Sequence, residues 1–379
     1  MSGELEKSLV MVPAWPGQET RSELERQAAA GERARTDYVE LARALNADVM
    51  DMQYMTEQAS PVARLVCRRA GLVLGQVAEG YLRRARYAHI VARADRLGLP
   101  LALLYKATGA RRDLVLISVW LSRPKKAVFL SRLKVHSHLG AIISYGSVQN
   151  AAATDRLGVP RRKLHHALQP VDERFWRPVQ APARNWVVSV GSEARDYPTL
   201  ARALEGLDVD AHVAVGSSVL RSSGDADAML GPIVREAAGV TPNCRIHVHQ
   251  QVRHRQLRDL YARSRFVVVP LHDVEFDAGV TSLTEAMAMG KAVIVTRTRG
   301  QADVVRHGET GLYVPPGEPA PLRAAVRHLL DNPDEAERMG WAGRAAVEAR
   351  HTLDRWVADV AGIVSASPAR RVPVPNPPV

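Results

Sequence analysis

The stretch from Phe266 to Val295 constrains the fold more than any other part of the sequence. An apolar strand at residues 266–269 is followed by a polar loop, a helix and a second apolar strand at 292–295. This order predicts a βαβ unit of a parallel sheet that helices cover on both faces. Open sheets of this kind bind ligands beyond the carboxyl ends of their strands, so the loop at 270–282 is the predicted site.

The chemistry of this loop suits a phosphate and a sugar. Asp277 and Glu285 lie eight positions apart, around a Gly-Val-Thr-Ser turn. Thr281 or Ser282 is predicted to cap the helix, and the free N–H groups at the helix start favour an anion. Glu285 follows one turn later, where a carboxylate accepts hydrogen bonds from a ribose diol.

Two segments resemble a known family. Residues 285–293 read Glu-Ala-Met-Ala-Met-Gly-Lys-Ala-Val, and residues 307–317 read His-Gly-Glu-Thr-Gly-Leu-Tyr-Val-Pro-Pro-Gly. Both resemble the signature of retaining GT-B glycosyltransferases of family 4, also called group 1 glycosyltransferases. Asp277 occupies the place of the family's first Glu, and Ala292 that of its Pro. The resemblance covers residues 186–362 well and residues 1–150 only in general layout.

The resemblance implies an α/β fold of the GT-B type, with two Rossmann-like domains facing a central cleft and a C-terminal helix that crosses back to the first domain. Pro170, Pro178 and Pro182 break regular structure near the boundary. The predicted parts are an acceptor-binding domain at 1–178, a nucleotide-sugar-binding domain at 179–352, a crossover helix at 353–366 and a disordered proline-rich tail at 367–379. Within the first domain, long helices are predicted at 18–45, 60–87 and 124–139.

The resemblance also implies an activity: transfer of a hexosyl unit, with retention, from a nucleoside-diphosphate sugar to a hydroxyl acceptor, with a small molecule or natural product favoured over a lipid. Arg195 and Asp277 are the implied catalytic residues. The implied donor-binding residues are Gly191, Arg195, Val252, Arg253, Asp277, Gly279, Val280, Thr281, Ser282 and Glu285.

Several departures from the family pattern leave alternatives open. Ser192 stands where the family has Arg, so Arg195 is the remaining cation for the diphosphate, with Lys291 or Arg297 as alternatives. Asp277 is one methylene shorter than Glu, and a loop shift would bring Glu275 in its place.

The first domain leaves the acid–base group unassigned. Residues 118–121, at the end of the fourth strand, lack the family's His, while His136 and His138 on the following helix read as surface residues. A sugar-nucleotide epimerase of the same fold and a non-catalytic sugar-nucleotide-binding protein are the alternative functions.

Composition limits the partners. No apolar run is long enough for a transmembrane helix, the amino terminus does not resemble a secretory signal, and Cys67 and Cys244 are the only cysteines, so a cytoplasmic protein is predicted. No cluster has metal-ligand spacing, so neither a metal nor a cofactor beyond the nucleotide sugar is predicted.

The net charge of +11 is uneven along the chain, because residues 101–180 carry fourteen Lys and Arg against four Asp and Glu. No nucleic-acid-binding motif accompanies it, which argues against a nucleic-acid partner. The basic helix within 123–135 is a candidate for peripheral contact with anionic lipid or an acidic acceptor, and a soluble acceptor is favoured.

Overall fold

The computed structural model describes residues 7–110, 113–182, 184–215, 245–301 and 303–367. Their contacts divide the chain into two compact units. Unit 1 contains the described residues of Met1–Glu25, Thr36–Ala167 and Trp356–Val379, and unit 2 contains Arg26–Arg35 and Leu168–Arg355. This division differs from the predicted boundary at 178, and it assigns the short segment Arg26–Arg35 to the unit formed by the later part of the chain. The predicted tail at 368–379 lies outside the described residues.

Each unit contains one six-stranded sheet in which all neighbouring strands are parallel. The strands of unit 1 are β1 (Ser8–Met11), β2 (Ala47–Met50), β3 (His89–Ala92), β4 (Asp113–Ser118), β5 (Ala141–Ser144) and β6 (Leu164–His166). The strands of unit 2 are β7 (Trp186–Val190), β8 (Asp210–Val215), β9 (Ile246–Gln250), β10 (Val267–Val269), β11 (Val293–Thr296) and β12 (Gly311–Val314).

Helices connect the strands, as parallel pairing requires. The α-helices of the first half are α1 (Arg21–Ala29), α2 (Asp37–Ala44), α3 (Met52–Glu57), α4 (Pro61–Ala70), α5 (Leu72–Arg83), α6 (Asp95–Thr108), α7 (Pro124–Ser131) and α8 (Ser147–Asp155). Those of the second half, among the described residues, are α9 (Tyr197–Leu204), α10 (His254–Arg263), α11 (Val280–Ala288), α12 (Pro319–Asp331), α13 (Pro333–Arg350) and α14 (Leu353–Ala366).

In unit 1 the strand order is β2-β1-β3-β4-β5-β6. The core lies on the sheet, whose strands contribute fully buried side chains such as Leu9, Ile90 and Leu116. These strands read as continuous apolar runs because both of their faces are covered.

In unit 2 the strand order is β12-β11-β10-β7-β8-β9. Read from β9, this is the doubly wound order 3-2-1-4-5-6, which reverses direction between β7 and β10. A crevice therefore opens beyond the carboxyl ends of these two strands, at Val190 and Val269. The βαβ unit predicted from residues 266–295 is present as β10, α11 and β11.

Three predicted helices of unit 1 are shorter than expected. The helix predicted at 18–45 is instead two helices, α1 and α2. The helix predicted at 60–87 is split into α4 and α5 at Gly71, because its φ of +91° is incompatible with a regular α-helix. The helix predicted at 124–139 ends at Ser131, and Lys134 with φ +45° separates it from a 3₁₀ turn at Val135–His138.

The last helix returns to unit 1, as the sequence predicts for residues 353–366. Trp356 is 3% exposed, and Arg93 lies 5.8 Å from its ring centre. At the end of α14, Ser367 Oγ donates a hydrogen bond of 2.5 Å to Asp113 Oδ1, the carboxylate that opens β4.

Candidate functional site

The switch point of unit 2 holds a buried arginine. Arg195 is 8% exposed, and its Nε donates to Val190 O at 2.8 Å, the last carbonyl of β7. Its Nη1 donates to Glu193 O at 2.8 Å and its Nη2 to Ser282 Oγ at 3.1 Å. These bonds use three of the five N–H groups of the guanidinium, so two have no acceptor among the described residues.

Arg195 forms no ion pair with any carboxylate among the described residues. Burial lowers the pKa of the guanidinium, with Tyr197, Tyr261 and Glu193 acting in the opposite direction. A buried cation without a counter-charge is costly in a protein interior. A bound anion would supply the missing charge.

Two glycines give the guanidinium its space. Gly191 has φ +105°, and a Cβ there would lie 2.5 Å from Arg195 Nη2. Gly279 has φ +80°, and a Cβ there would lie 2.8 Å from Val269 Cγ1 and 3.5 Å from Arg195 Nη1. The structure thus brings together Gly191, Arg195, Gly279 and Ser282, although they lie in two distant stretches of the sequence.

The start of α11 has no side-chain cap. Neither Thr281 nor Ser282 caps the helix as predicted, because the helix begins at Val280, with Gly279 in the N-cap position. Thr281 is exposed, whereas Ser282 is turned inward and donates to Val190 O at 3.1 Å. The first N–H groups of α11 consequently lack a side-chain partner, which is the arrangement that favours an anion.

Glu285 lies one turn into α11, on the face of Ser282. Tyr261, which is fully buried on α10, donates from its hydroxyl to Glu285 Oε2 at 3.1 Å. The other carboxyl oxygen makes no hydrogen bond to a described residue. Burial raises the pKa of Glu285 to about 8, and the Tyr261 hydrogen bond opposes the rise. Sequence reasoning missed Tyr261, since no motif marks it.

Asp277 lies in the loop between β10 and α11. Its Oδ1 is buried and makes no hydrogen bond to a described residue, and burial together with the charge of Asp303 raises its pKa to about 7. A buried carboxyl oxygen without a donor has an unfilled hydrogen-bonding requirement. A sugar hydroxyl would satisfy it. Glu275, the alternative to Asp277, instead forms an ion pair of 3.1 Å with exposed Arg299.

The other sequence-predicted cations have other partners. Lys291 Nζ donates to Ala262 O and Ser264 O, both at 2.8 Å. Arg297 lies 5.3 Å from the ring centre of Tyr313. Ser192 is half-buried near Arg195, and its hydroxyl has no hydrogen-bond partner. Of the three predicted cations, only Arg195 joins the glycine and serine cluster.

Val252 and Arg253 lie just before α10. Val252 is half-buried and lines a concavity of about 610 Å³ with Trp186, His212 and His249. Arg253 is exposed at the N-cap of α10, and its N–H donates to Gln256 Oε1 at 3.0 Å. Neither residue forms a hydrogen bond with Arg195 or Glu285, and their predicted contact with the nucleotide base stays a prediction.

In unit 1, the predicted candidates are dispersed. His136 is half-buried, and burial together with Lys163, Lys106 and Lys134 lowers its pKa. His138 Nδ1 lies 2.9 Å from the neighbouring Ser137 Oγ. Ser118, at the end of β4, is buried with no hydrogen-bond partner for its hydroxyl. The acid–base residue therefore stays unassigned.

One carboxylate pair of the Asp-x-Asp type lies away from the crevice. Asp208 and Asp210 flank the amino end of β8, and Asp210 Oδ1 accepts a bond of 3.2 Å from Arg245. A second pair, Asp225 and Asp227, lies outside the described residues. In the part of the chain that the structure describes, no group of three His, Cys, Asp or Glu side chains could hold a metal ion.

Comparison with solved structures identifies the architecture. The chain aligns with HepE of Anabaena, solved with UDP and glucose, at a TM-score of 0.67 and 16% identity over 96% of this chain and 100% of that one. It aligns with sucrose-phosphate synthase of Thermosynechococcus elongatus at a TM-score of 0.71 and 16% identity over 94% and 98% of the two chains. The fold is GT-B.

Sequence comparison matches part of the chain to a protein family and to named relatives. Residues 232–346 match the family model "Glycosyl transferases group 1". D-rhamnosyltransferase WbpZ of Pseudomonas aeruginosa is 30% identical over 203 residues, which are 52% of this chain and 46% of that protein. The MMP alpha-(1->4)-mannosyltransferase of Mycolicibacterium hassiacum is 26% identical over 209 residues, which are 52% of this chain and 48% of that protein. The matches thus span about half the length of these relatives. The segment that matches the group 1 model lies in unit 2 and includes Glu285 but not Arg195.

Proposed function

We propose that the chain is a retaining glycosyltransferase that moves a hexosyl unit from a nucleoside-diphosphate sugar to a hydroxyl acceptor. The donor would bind at the switch point of unit 2. The observation that carries the proposal is the buried guanidinium of Arg195, which has no carboxylate partner and lies beside the uncapped start of α11. Two N–H groups of a guanidinium match the oxygens of a diphosphate.

The two carboxyl groups supply the remaining donor contacts. Glu285 has one oxygen held by Tyr261 and the other open, which suits the neighbouring hydroxyls of a ribose. Asp277 has a buried oxygen without a donor, which suits a hydroxyl of the transferred sugar. The diphosphate, the ribose and the transferred sugar would then each contact a polar group that has hydrogen-bonding capacity left over from its contacts with the described residues.

The proposed reaction needs no protein nucleophile. The acceptor oxygen forms a bond to the anomeric carbon as the bond from that carbon to the diphosphate oxygen breaks on the same face. The acceptor proton passes to the departing diphosphate oxygen, so atoms and charge balance. Arg195 and the α11 N–H groups would stabilise the charge that develops on the leaving group. The proposal invokes no metal.

The acceptor is proposed to be a small molecule or natural product, and the reaction to occur in the cytoplasm. The group 1 relatives act on sugars, as their names record, but the matches extend over about half of each protein. The donor sugar and the acceptor are therefore open to experiment.

Two measurements on the full-length protein test the proposal. A thermal-shift screen with nucleotides and nucleotide sugars should find a stabilising ligand, and saturation at a hundred times its dissociation constant should stabilise the protein by about 2.7 kcal/mol. The donor so identified, labelled in its sugar, should then yield a product with a range of hydroxyl acceptors. The product's anomeric configuration, read by NMR, should match that of the donor.

The departures at Ser192 and Asp277 favour one competing function, a sugar-nucleotide-binding protein without catalysis. Both positions bear a smaller side chain than the family pattern, and the hydroxyl of Ser192 has no partner. Donor binding without transfer, and without cleavage of the donor, would support this competitor. Interconversion of the donor to an epimer would support an epimerase, and the absence of nucleotide-sugar binding would overturn the donor site itself.

A further inference from the structure

The positive charge of the chain is concentrated in one stretch of unit 1. Residues 58–154 contain sixteen Lys and Arg but three Asp and Glu, whereas the rest of the chain contains thirty-five Lys and Arg and thirty-seven Asp and Glu. The whole net charge of +11 therefore arises in this stretch, and the remainder is slightly acidic.

All three carboxylates of the stretch are withdrawn from the surface. Glu79 is fully buried and accepts a bond of 2.9 Å from Arg83 Nε. Asp95 is 7% exposed and lies 2.6 Å from Lys126 Nζ. Asp113 is 6% exposed and lies 2.6 Å from His89 Nδ1. The surface that residues 58–154 present consequently has no exposed carboxylate.

The helices of this stretch lie on one side of the unit 1 sheet. The connections β2 to β3, β3 to β4 and β4 to β5 all advance in the same direction through the strand order β2-β1-β3-β4-β5. Right-handed crossovers then place their helices on the same face. Accordingly, α5 packs on α4 and α6, and α6 packs on α7. We call the solvent side of α4, α5 and α7 the basic face.

Exposed apolar side chains are concentrated on the same helices. Of the nine exposed large hydrophobic residues among those described, six lie on α4, α5, α7 or the turn after α7. They are Val62 (54% exposed), Leu65 (49%), Leu74 (44%), Leu82 (44%), Val128 (41%) and Leu133 (38%). On α4, Val62 and Leu65 lie three positions apart, on one stripe. On α5, Leu74 and Leu82 are two turns apart, also on one stripe.

Arginines and lysines surround these side chains. The exposed ones on or beside the three helices are Arg64, Arg68, Arg69, Arg86, Arg123, Lys125, Arg132 and Lys134. The α4–α5 hairpin is closely packed on its inner side, where a Cβ on Gly75 would lie 2.0 Å from Cys67 Sγ.

We propose that the basic face binds the surface of an anionic lipid bilayer. The basic face presents apolar and basic side chains together on one layer of helices. The apolar side chains match the acyl chains at a bilayer interface, and the basic ones match its negative headgroups. A nucleic-acid backbone would match the charge but leave the leucines without an apolar partner. The surface extends the contact predicted from residues 123–135 to α4 and α5. In the described ranges, no helix has both the length and the apolar composition to cross a bilayer.

The test uses full-length protein and vesicles without any nucleotide sugar, so its outcome is separate from that of the glycosyl-transfer proposal. Co-sedimentation is measured with phosphatidylcholine vesicles and with equal parts of phosphatidylcholine and phosphatidylglycerol, at low and at moderate salt. Binding is expected only with phosphatidylglycerol, and should weaken with salt. Arg68→Glu/Arg69→Glu should lower the partition coefficient about fivefold for each positive charge removed. Leu65→Gln/Leu74→Gln should lower it about tenfold or more.

Matched controls come from unit 2. Arg327→Glu/Arg350→Glu changes the net charge equally at exposed positions, and Trp341→Gln removes a large side chain that is 53% exposed. Both controls should sediment as wild type does. Thermal midpoints of all variants establish that they are folded. Failure to bind phosphatidylglycerol vesicles at low salt overturns the proposal, as do controls that weaken binding as much as the α4–α5 variants. Tight binding of labelled duplex DNA that Leu65→Gln/Leu74→Gln leaves unchanged, without vesicle binding, would assign the face to nucleic acid instead.

Discussion

The hydroxyl of Tyr261 donates a hydrogen bond of 3.1 Å to Glu285 Oε2, and the two residues are 24 positions apart on different helices. The bond fixes one oxygen of a carboxyl group whose other oxygen is open. It also opposes the burial that raises the pKa of Glu285 to about 8. Orientation and ionisation of the proposed ribose contact therefore both depend on this tyrosine.

Tyr261→Phe should weaken binding of the nucleotide sugar at pH 7 by about 1 kcal/mol, since the carboxyl loses both its anchor and a bond that favours its charged form. Isothermal titration of the donor measures the loss. Tyr54→Phe is the matched control, because Tyr54 donates to Glu79 Oε1 at 3.4 Å in unit 1, in another buried tyrosine–glutamate pair. Equal losses of donor affinity in both variants would contradict a local role for Tyr261.

Glu285→Gln should weaken donor binding in a pH-dependent way. With a pKa of about 8, the wild-type carboxyl is largely protonated below pH 7 and ionised above pH 8. If the ribose hydroxyls require the carboxylate, wild-type affinity should rise by up to about tenfold per pH unit between pH 6 and 8, while the Gln variant stays flat. Above pH 8 the difference should reach about 1.5–3 kcal/mol. Parallel pH profiles for the two proteins would remove Glu285 from the site.

The same carboxyl should make the protein less stable at alkaline pH. The pKa of Glu285 is raised from 4.5 to about 8 in the folded state, so between these pH values the folded protein retains a proton that the unfolded chain releases. Its contribution to stability is present below pH 4.5 and is lost as pH rises toward 8. Glu285→Gln lacks this dependence. The thermal midpoint of the variant, relative to that of wild type, should therefore rise steadily from pH 5 to pH 8. A difference in midpoint that does not change with pH would contradict a raised pKa of Glu285 in the folded protein.

The sequence predicted the βαβ unit at 266–295 better than the long helices of unit 1, for a physical reason. Strands buried on both faces, such as Val267–Val269, are continuous apolar runs that no surface helix shares. The apolar periodicity of residues 60–87 continues through Gly71. The helix breaks there because Gly71 has a positive φ, and the spacing of apolar residues does not predict a backbone angle.

The candidate site divides in the same way. Asp277, Gly279, Ser282 and Glu285 are local to one βα turn and were predicted. Their association with Tyr261 is not local, because it depends on how α10 packs beside α11. Ser282 meets Arg195 from 87 positions away because β7 and β10 are neighbours in the sheet, which only the strand order establishes.

Arg195→Ala should affect the diphosphate more than the nucleoside. Its charge is needed as the leaving group departs, so turnover should fall by about a hundredfold or more, while affinity for the corresponding free nucleoside changes little. Steady-state kinetics and nucleoside titration measure the two effects. Lys291→Ala serves as the control, because it removes another cation bound to carbonyls, those of Ala262 and Ser264. A comparable loss of turnover in Lys291→Ala, or full activity of Arg195→Ala, would contradict the assignment.

Gly279→Ala and Gly308→Ala separate backbone strain from crowding at the site. Both glycines have nearly the same positive φ, +80° and +78°, so either substitution should cost about 1 kcal/mol of backbone strain. The two positions differ in the space available for a Cβ atom. A Cβ at Gly308 has no neighbour within 4 Å, whereas one at Gly279 lies 2.8 Å from Val269 Cγ1. Gly279→Ala must therefore displace either the Val269 side chain or the start of α11, and a shift of the helix start would move the N–H groups proposed to bind the diphosphate. We expect chemical denaturation to show a larger loss of stability for Gly279→Ala, and donor titration to show weakened binding for this variant alone. If Gly308→Ala weakened donor binding to the same extent, the effect would reflect global destabilisation, and the α11 start would lose its proposed role.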